Sequence, residues 1–192
     1  MTQTVKTMLW LAFVSALALF KSNAQDVEEA PMITDDAISA CMERGYCENL
    51  SDYPKELINK LLDEAGSSIE LQSEIEPVLL TKRAGGDSFT NLCDAEKTVI
   101  MPQAAMNMDK NWVWVVNDMD PMRQQKYTVE VCNNISRPCS NLVMTEYGYA
   151  SSCKQIYTFR TTTAFAPGTS KLTYQPVRLP SCCQCQGEVL FS

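Results

Sequence analysis

Apolar residues recur along this chain in two rhythms, and the change from one to the other divides it. From Asp35 to Arg44, Ala37, Ile38 and Cys41 fall at helical spacing behind Thr34, a residue type that caps helix N-termini. A second amphipathic helix is predicted near Tyr53 to Ala65. It opens after Ser51 and Asp52 with Pro54 in its first turn, carries the stripe Leu57, Ile58, Leu61 and Leu62, and stops at Gly66. Such a stripe usually covers apolar surface nearby rather than binding a ligand. Residues 66–92 read as a linker, with Gly66-Ser67-Ser68, Pro77 and the polar run Thr81 to Ser88. Beyond Asn91 the period becomes two. Lys97 to Met101 is rich in β-formers, and Trp112, Trp114 and Val116 alternate with Val113 and Val115. Asn117-Asp118 and Asp120-Pro121 supply turn chemistry. In Lys126 to Cys132, Tyr127, Val129 and Val131 share a face. Gln155 to Phe165 is a long run of Tyr, Phe and Thr, which Ala166-Pro167-Gly168-Thr169 turns toward Lys171 to Leu179. The pattern predicts two twisted hairpins with a cysteine cluster at their base, preceded by a segment that is mainly helical or disordered.

The N-terminus sets the compartment. Lys6 precedes the apolar run Met8 to Phe20, and Ser22-Asn23-Ala24 puts small residues where a signal peptidase reads. Residues 1–24 therefore read as a secretory signal peptide. The run is shorter than the ~20 residues a bilayer span needs, and no second apolar span follows it. The expected product is secreted and extracellular, without membrane insertion, in a compartment where disulfides persist. Charge then separates two parts. Residues 1–83 hold seven Lys or Arg against fourteen Asp or Glu, whereas residues 84–192 hold nine of each, so the net charge of −7 lies wholly in the first. An acidic segment followed by a neutral one argues against a nucleic-acid binder, which would need a basic face. The chain has no histidine, which removes Ser-His-Asp and Cys-His catalysis and every His-containing metal site. No pair of carboxylates forms a recognisable constellation. The chain reads as a non-enzyme that needs no cofactor.

Between the two parts, Lys82-Arg83-Ala84-Gly85-Gly86 looks like an accessible processing site, because proteases act on extended, unpacked backbone. Arg83-Ala84 is the candidate bond, for a trypsin-like serine protease. Residues 25–83 would then be an acidic pro-segment, and residues 84–192 a cysteine-rich domain.

Nine cysteines is an odd number, so in a secreted protein at least one is free or intermolecular. Cys41 and Cys47 could close a local loop in the acidic part. That leaves Cys93, Cys132, Cys139, Cys153, Cys182, Cys183 and Cys185, enough for three bridges and one thiol over. Zinc is disfavoured by the spacing and by the oxidising compartment. In Cys182-Cys183-Gln184-Cys185, alternate side chains of an extended strand point oppositely, so Cys183 and Cys185 face one way and Cys182 the other. Six cysteines allow 15 pairings, and spacing selects none of them.

The run Leu92-Cys93, Pro102, Trp112 to Asn117, Val129-Glu130-Val131-Cys132, Pro138-Cys139, Cys153-Lys154-Gln155-Ile156-Tyr157 and Leu179-Pro180-Ser181-Cys182-Cys183-Gln184-Cys185 resembles the cystine-knot domain of the Spätzle family. These are secreted, neurotrophin-like ligands of Toll receptors. The resemblance covers about residues 88–186, and the order of leader, acidic segment and arginine cleavage site is similar too. It implies a small disulfide-rich all-β cystine knot with bridges Cys93–Cys153, Cys132–Cys183 and Cys139–Cys185, the last two closing a ring that the first threads. It also implies that Cys182 is the interchain cysteine of a homodimer. The partner it implies is a Toll-type receptor ectodomain, with Trp112 and Trp114 as candidate receptor contacts, although buried packing is the commoner fate of alternating tryptophans. Two sequons, at Asn49 and Asn134, are candidate glycosylation sites. The leading reading is a proteolytically activated cytokine acting in innate immunity or development. The alternative is an unprocessed cystine-knot protein that binds or antagonises another growth factor or a matrix component.

Overall fold

The computed structural model describes residues 29–75, 92–140 and 143–190. Its largest feature is a hairpin of two long antiparallel strands, β6 (Tyr149–Phe165) and β7 (Thr173–Val189), paired from Tyr149↔Val189 to Ala164↔Thr173. The β-branched and aromatic run from Tyr157 to Phe165 favours this conformation. At the predicted turn, Thr169 N donates to Ala166 O at 3.1 Å and Gly168 takes φ 73°. The register shifts between Ile156 and Tyr157, beside Pro180. A proline lacks the N–H that a regular ladder needs, so an irregularity is where a strand tolerates it.

Both strands run further than the sequence pattern predicted. β6 starts at Tyr149 rather than Gln155, and β7 continues through the cysteine cluster to Val189 rather than stopping at Leu179. The β6–β7 hairpin is part of a five-stranded sheet, and a second antiparallel pair forms a two-stranded ribbon. In the sheet β4 (Trp112–Val115) joins β6 through Trp114↔Phe165, β3 (Ala104–Met106) pairs with β4, and β1 (Tyr46–Cys47) pairs with β3 at the edge. The ribbon pairs β2 (Ala95–Ile100) with β5 (Tyr127–Cys132), from Ala95↔Cys132 to Ile100↔Tyr127.

Alternation along β4 sorts its side chains. Val113 and Val115 face a core with Ile100, Tyr127, Val129, Val177 and Leu179, and Val131 is partly buried against it. Trp114, together with Val116 just beyond the strand, faces the other side.

That other side is covered by the N-terminal part. Helix α1 is Asp35–Ser39, shorter than the predicted Asp35 to Arg44. Thr34 Oγ1 accepts from Ala37 N at 3.3 Å, as a cap should. The helix ends early because Cys41 is bonded to Cys47, six residues on, and the chain must reverse between them. It does so through a 3₁₀ turn at Met42–Arg44 and Gly45, whose φ of 78° is left-handed and whose missing Cβ would lie 3.4 Å from Arg178 O. Helix α2 is Lys55–Ala65, with Pro54 as its N-cap rather than inside its first turn, and it ends at Gly66. All four stripe residues are buried.

Candidate functional site

The cysteines meet where β5, β6 and β7 come together. Cys132 is bonded to Cys183 and Cys139 to Cys185, with Cα atoms 5.1 and 5.9 Å apart, which makes a ring of residues 132–139 and 183–185. Cys93 is bonded to Cys153, Cα atoms 5.7 Å apart, and the Cys93 sulfur lies within 4.8 Å of sulfurs in both ring bridges. The backbone of Cys153 is held inside the 132–139 loop: its N–H donates to Arg137 O at 2.9 Å and its carbonyl accepts from Ser136 N at 2.8 Å. These sulfurs are close enough to suggest a metal cluster, but each is in a disulfide and has no thiolate to offer. Gln155 organises the ring, since its Oε1 accepts from Cys132 N at 2.8 Å while Nε2 donates to Glu130 O and Cys182 O. Cys182 is half-buried and has a free thiol.

The second feature is the face beneath residues 29–75. Leu57, Ile58, Leu61 and Leu62 join Ala104, Trp114, Val116 and Phe165 in one cluster, with Trp112 partly buried against it. Burying a Leu or Ile side chain is worth ~1.5–3 kcal/mol, so this stripe is a substantial part of what holds α2 down. Trp114 is fully buried, and its Nε1 donates to Pro31 O at 2.8 Å. While residues 29–75 are in place, Trp114 offers no surface to a partner.

Tyr53, 7% exposed, sits edge-on to Trp114 with ring centroids 5.9 Å apart. Its hydroxyl accepts from Asn117 N at 2.7 Å and lies 2.7 Å from Val115 O and 3.0 Å from Asn117 O, which it can donate to. Burial pushes this phenol well above its ordinary value of 10. Burial likewise raises Tyr46, Tyr127 and Tyr157. Below Tyr53, Asn117 and the fully buried Gln125 form a polar network. Asn117 Nδ2 donates to Pro102 O, and its Oδ1 accepts from Gln125 N, both at 2.6 Å. The Gln125 amide donates to Val116 O and Thr163 O and accepts from Thr162 Oγ1 and Thr163 N.

The N-terminal part also fills strand edges and pairs charges. Gln103 N donates to Cys47 O and Met106 N to Gly45 O, completing the edge of β3. Glu74 N donates to Lys126 O and Glu74 O accepts from Thr128 N beside β5. Asp63 meets Arg123 at 2.7 Å and Glu74 meets Arg160 at 3.2 Å, so two acidic residues of this part sit on arginines of the other. The Asp63 contact is the main reason the Arg123 guanidinium is held above its ordinary value. At Tyr157 the Arg178 guanidinium stacks on the ring at 3.6 Å, and the phenol donates to Glu43 O at 2.7 Å.

Asn49 is exposed, with φ 58°, and Asn134 is half-buried in the ring loop. The expected signal peptide and the candidate Arg83-Ala84 cleavage bond lie outside the described residues. Among the described residues, no helix is long and apolar enough to cross a membrane. Sequence reasoning missed Tyr53, Asn117, Gln125 and Gln155 as organising residues. Only Gln155 had a signal, its place in the Cys-Lys-Gln-x-Tyr element.

Three bridges gathered at one end of long antiparallel strands define a cystine-knot protein. The Spaetzle family model matches residues 90–187, and the chain belongs to the Spaetzle (Spätzle) family, whose members are signalling ligands rather than enzymes. Protein spaetzle 5 of Drosophila melanogaster is 34% identical over 125 residues, which are 65% of this chain and 31% of that relative. The chain thus matches about a third of that relative's length. In three dimensions it is similar to a crystal structure of the spatzle cystine knot, with a TM-score of 0.34 and 19% identity over 54% of this chain and 98% of that one.

Proposed function

We propose that this chain is the precursor of a secreted, dimeric cytokine that activates a Toll-type receptor once a trypsin-like serine protease cuts after Arg83. In this reading residues 1–24 are the signal peptide, residues 25–83 the pro-segment and residues 84–192 the ligand, with Cys182 joining two copies. The six knot cysteines act inside each protomer, and Asn49 and Asn134 carry glycans. One observation carries the reading: Tyr53 and the α2 stripe bury the face around Trp114, Val116 and Phe165. A surface that apolar has to be covered in a soluble precursor and is suited to a partner when uncovered. Trp112 and Trp114 would then become available for receptor contact.

The test compares wild type with a Lys82→Ala, Arg83→Ala double variant, because a trypsin-like protease also cuts after lysine; both are treated with such a protease and applied to cells that carry a Toll-type receptor and a reporter. Wild type alone should gain signalling. Equal signalling from the two proteins would contradict processing at Arg83 as the switch and favour an unprocessed binding protein.

A further inference from the structure

The hollow that receives Tyr53 is built by other residues. Its polar atoms are main-chain groups at and just past the end of β4: the carbonyls of Val115 and Asn117 and the N–H of Asn117. All are fixed from within residues 92–190. Asn117 is tied to Pro102 and Gln125, and Gln125 is tied in turn to Val116 and Thr163. The Trp114 ring forms an apolar wall. One donor and two acceptors therefore converge on a single buried oxygen beside the Trp114 ring.

Few groups satisfy that set. A hydroxyl can accept and donate at once, whereas a carboxylate only accepts and an ammonium only donates. A benzyl ring would fill the hollow but leave the Asn117 N–H buried and unpaired. A phenol satisfies both the apolar wall and the polar end.

We propose that this hollow is a phenol-binding site of the cystine-knot part of the chain. Tyr53 fills it in the precursor, and a tyrosine side chain of a protein partner fills it after the pro-segment leaves. The second half rests on the processing reading above. A partner that covers Trp114 also dries the hollow, and one offering phenylalanine there forfeits the Asn117 hydrogen bond. Tyrosine should be preferred to phenylalanine by roughly tenfold or more.

The site itself is tested in the uncut, full-length Tyr53→Ala chain with p-cresol and toluene as probes. At about ten times its Kd, p-cresol should raise the melting temperature by roughly 3–6 °C. It should also shift the backbone amide resonance of Asn117, with toluene binding about tenfold more weakly or worse. Equal binding of the two probes, or binding of neither, overturns the site. If the variant does not refold unaided, it is refolded in each probe: recovery in p-cresol alone supports the site, and recovery in both or in neither overturns it. The partner half uses the cut wild-type chain. Peptides selected for binding to it and displaced by p-cresol should carry a tyrosine that phenylalanine cannot replace without a tenfold loss; tolerance of phenylalanine, or no such peptide, overturns that half. Signalling by cut wild type is scored separately, so a failure here is distinguishable from a failure of proteolytic activation.

Discussion

Changing Gln125 to methionine keeps nearly the same side-chain volume and removes a primary amide from the centre of the molecule. Gln125 is fully buried, and its amide makes four hydrogen bonds, at 2.8 and 2.9 Å to Val116 O and Thr163 O, and at 3.0 and 2.8 Å from Thr162 Oγ1 and Thr163 N. A buried polar group left without a partner costs about 1–3 kcal/mol. The carbonyls keep a second lone pair and the threonine hydroxyl can rotate, so the Thr163 N–H and one further group carry most of the penalty. The expected loss is roughly 2–6 kcal/mol, large against the ~5–15 kcal/mol of a typical domain. Urea unfolding of the disulfide-intact protein, followed by tryptophan fluorescence, should show a lower midpoint with an unchanged slope. Gln125→Glu refines the test. Its carboxylate can accept but not donate, whereas its protonated form can donate to one carbonyl. Its deficit against wild type should therefore shrink as pH falls from 8 toward 5. A methionine variant within about 1 kcal/mol of wild type would refute the view that this amide is a fully engaged link between β4, β5 and β6.

Three other outcomes are expected. Leu61→Ala should destabilise the full-length chain by ~2–5 kcal/mol, read by urea unfolding, and loosen the hold of the N-terminal fragment after cutting; an unchanged midpoint would mean α2 is not docked as described. Burial holds the Tyr53 proton in the folded chain, so its contribution is complete below about pH 10 and is lost as pH rises beyond that, by about 1.4 kcal/mol per pH unit for this phenol. In a Cys182→Ser background, which prevents thiol exchange, Tyr53→Phe should flatten the fall by that amount between roughly pH 10 and 11.5; equal slopes would contradict the burial of this phenol. Cys182→Ser should also fold and run as a monomer on a non-reducing gel, and a persisting covalent dimer would assign the link to another cysteine.

Much of this organisation is legible in the residues, and what is not has identifiable causes. The Leu57, Ile58, Leu61, Leu62 stripe and the Tyr127, Val129, Val131 alternation declare their buried faces, because periodicity follows directly from helix and strand geometry. β1 and β3 do not declare themselves. Tyr46–Cys47 and Ala104–Met106 are too short to show a period, and they are strands only because they pair, β3 with β4 through a short local turn and β1 with β3 across distant sequence. The extension of β7 through Cys182 to Val189 is poor in β-formers and is held by its register with β6 and by the bridges. α1 stops short of Arg44 because of a disulfide, which helical spacing cannot reveal. Asn117 reads as a turn residue, and nothing in the pattern marks Gln125. Both are buried with every side-chain polar atom hydrogen-bonded, and that is a property of the assembled fold.

In the proposed function, residues 29–75 cover a knot domain that one cut releases as a covalent dimer. Intact mass after limited trypsin digestion, with and without reduction, addresses it most directly. The expected result is a resistant species of two copies of residues 84–192, halving on reduction to a single fragment that begins at Ala84. A species that is already monomeric before reduction, or a resistant fragment that begins inside the knot, would contradict it.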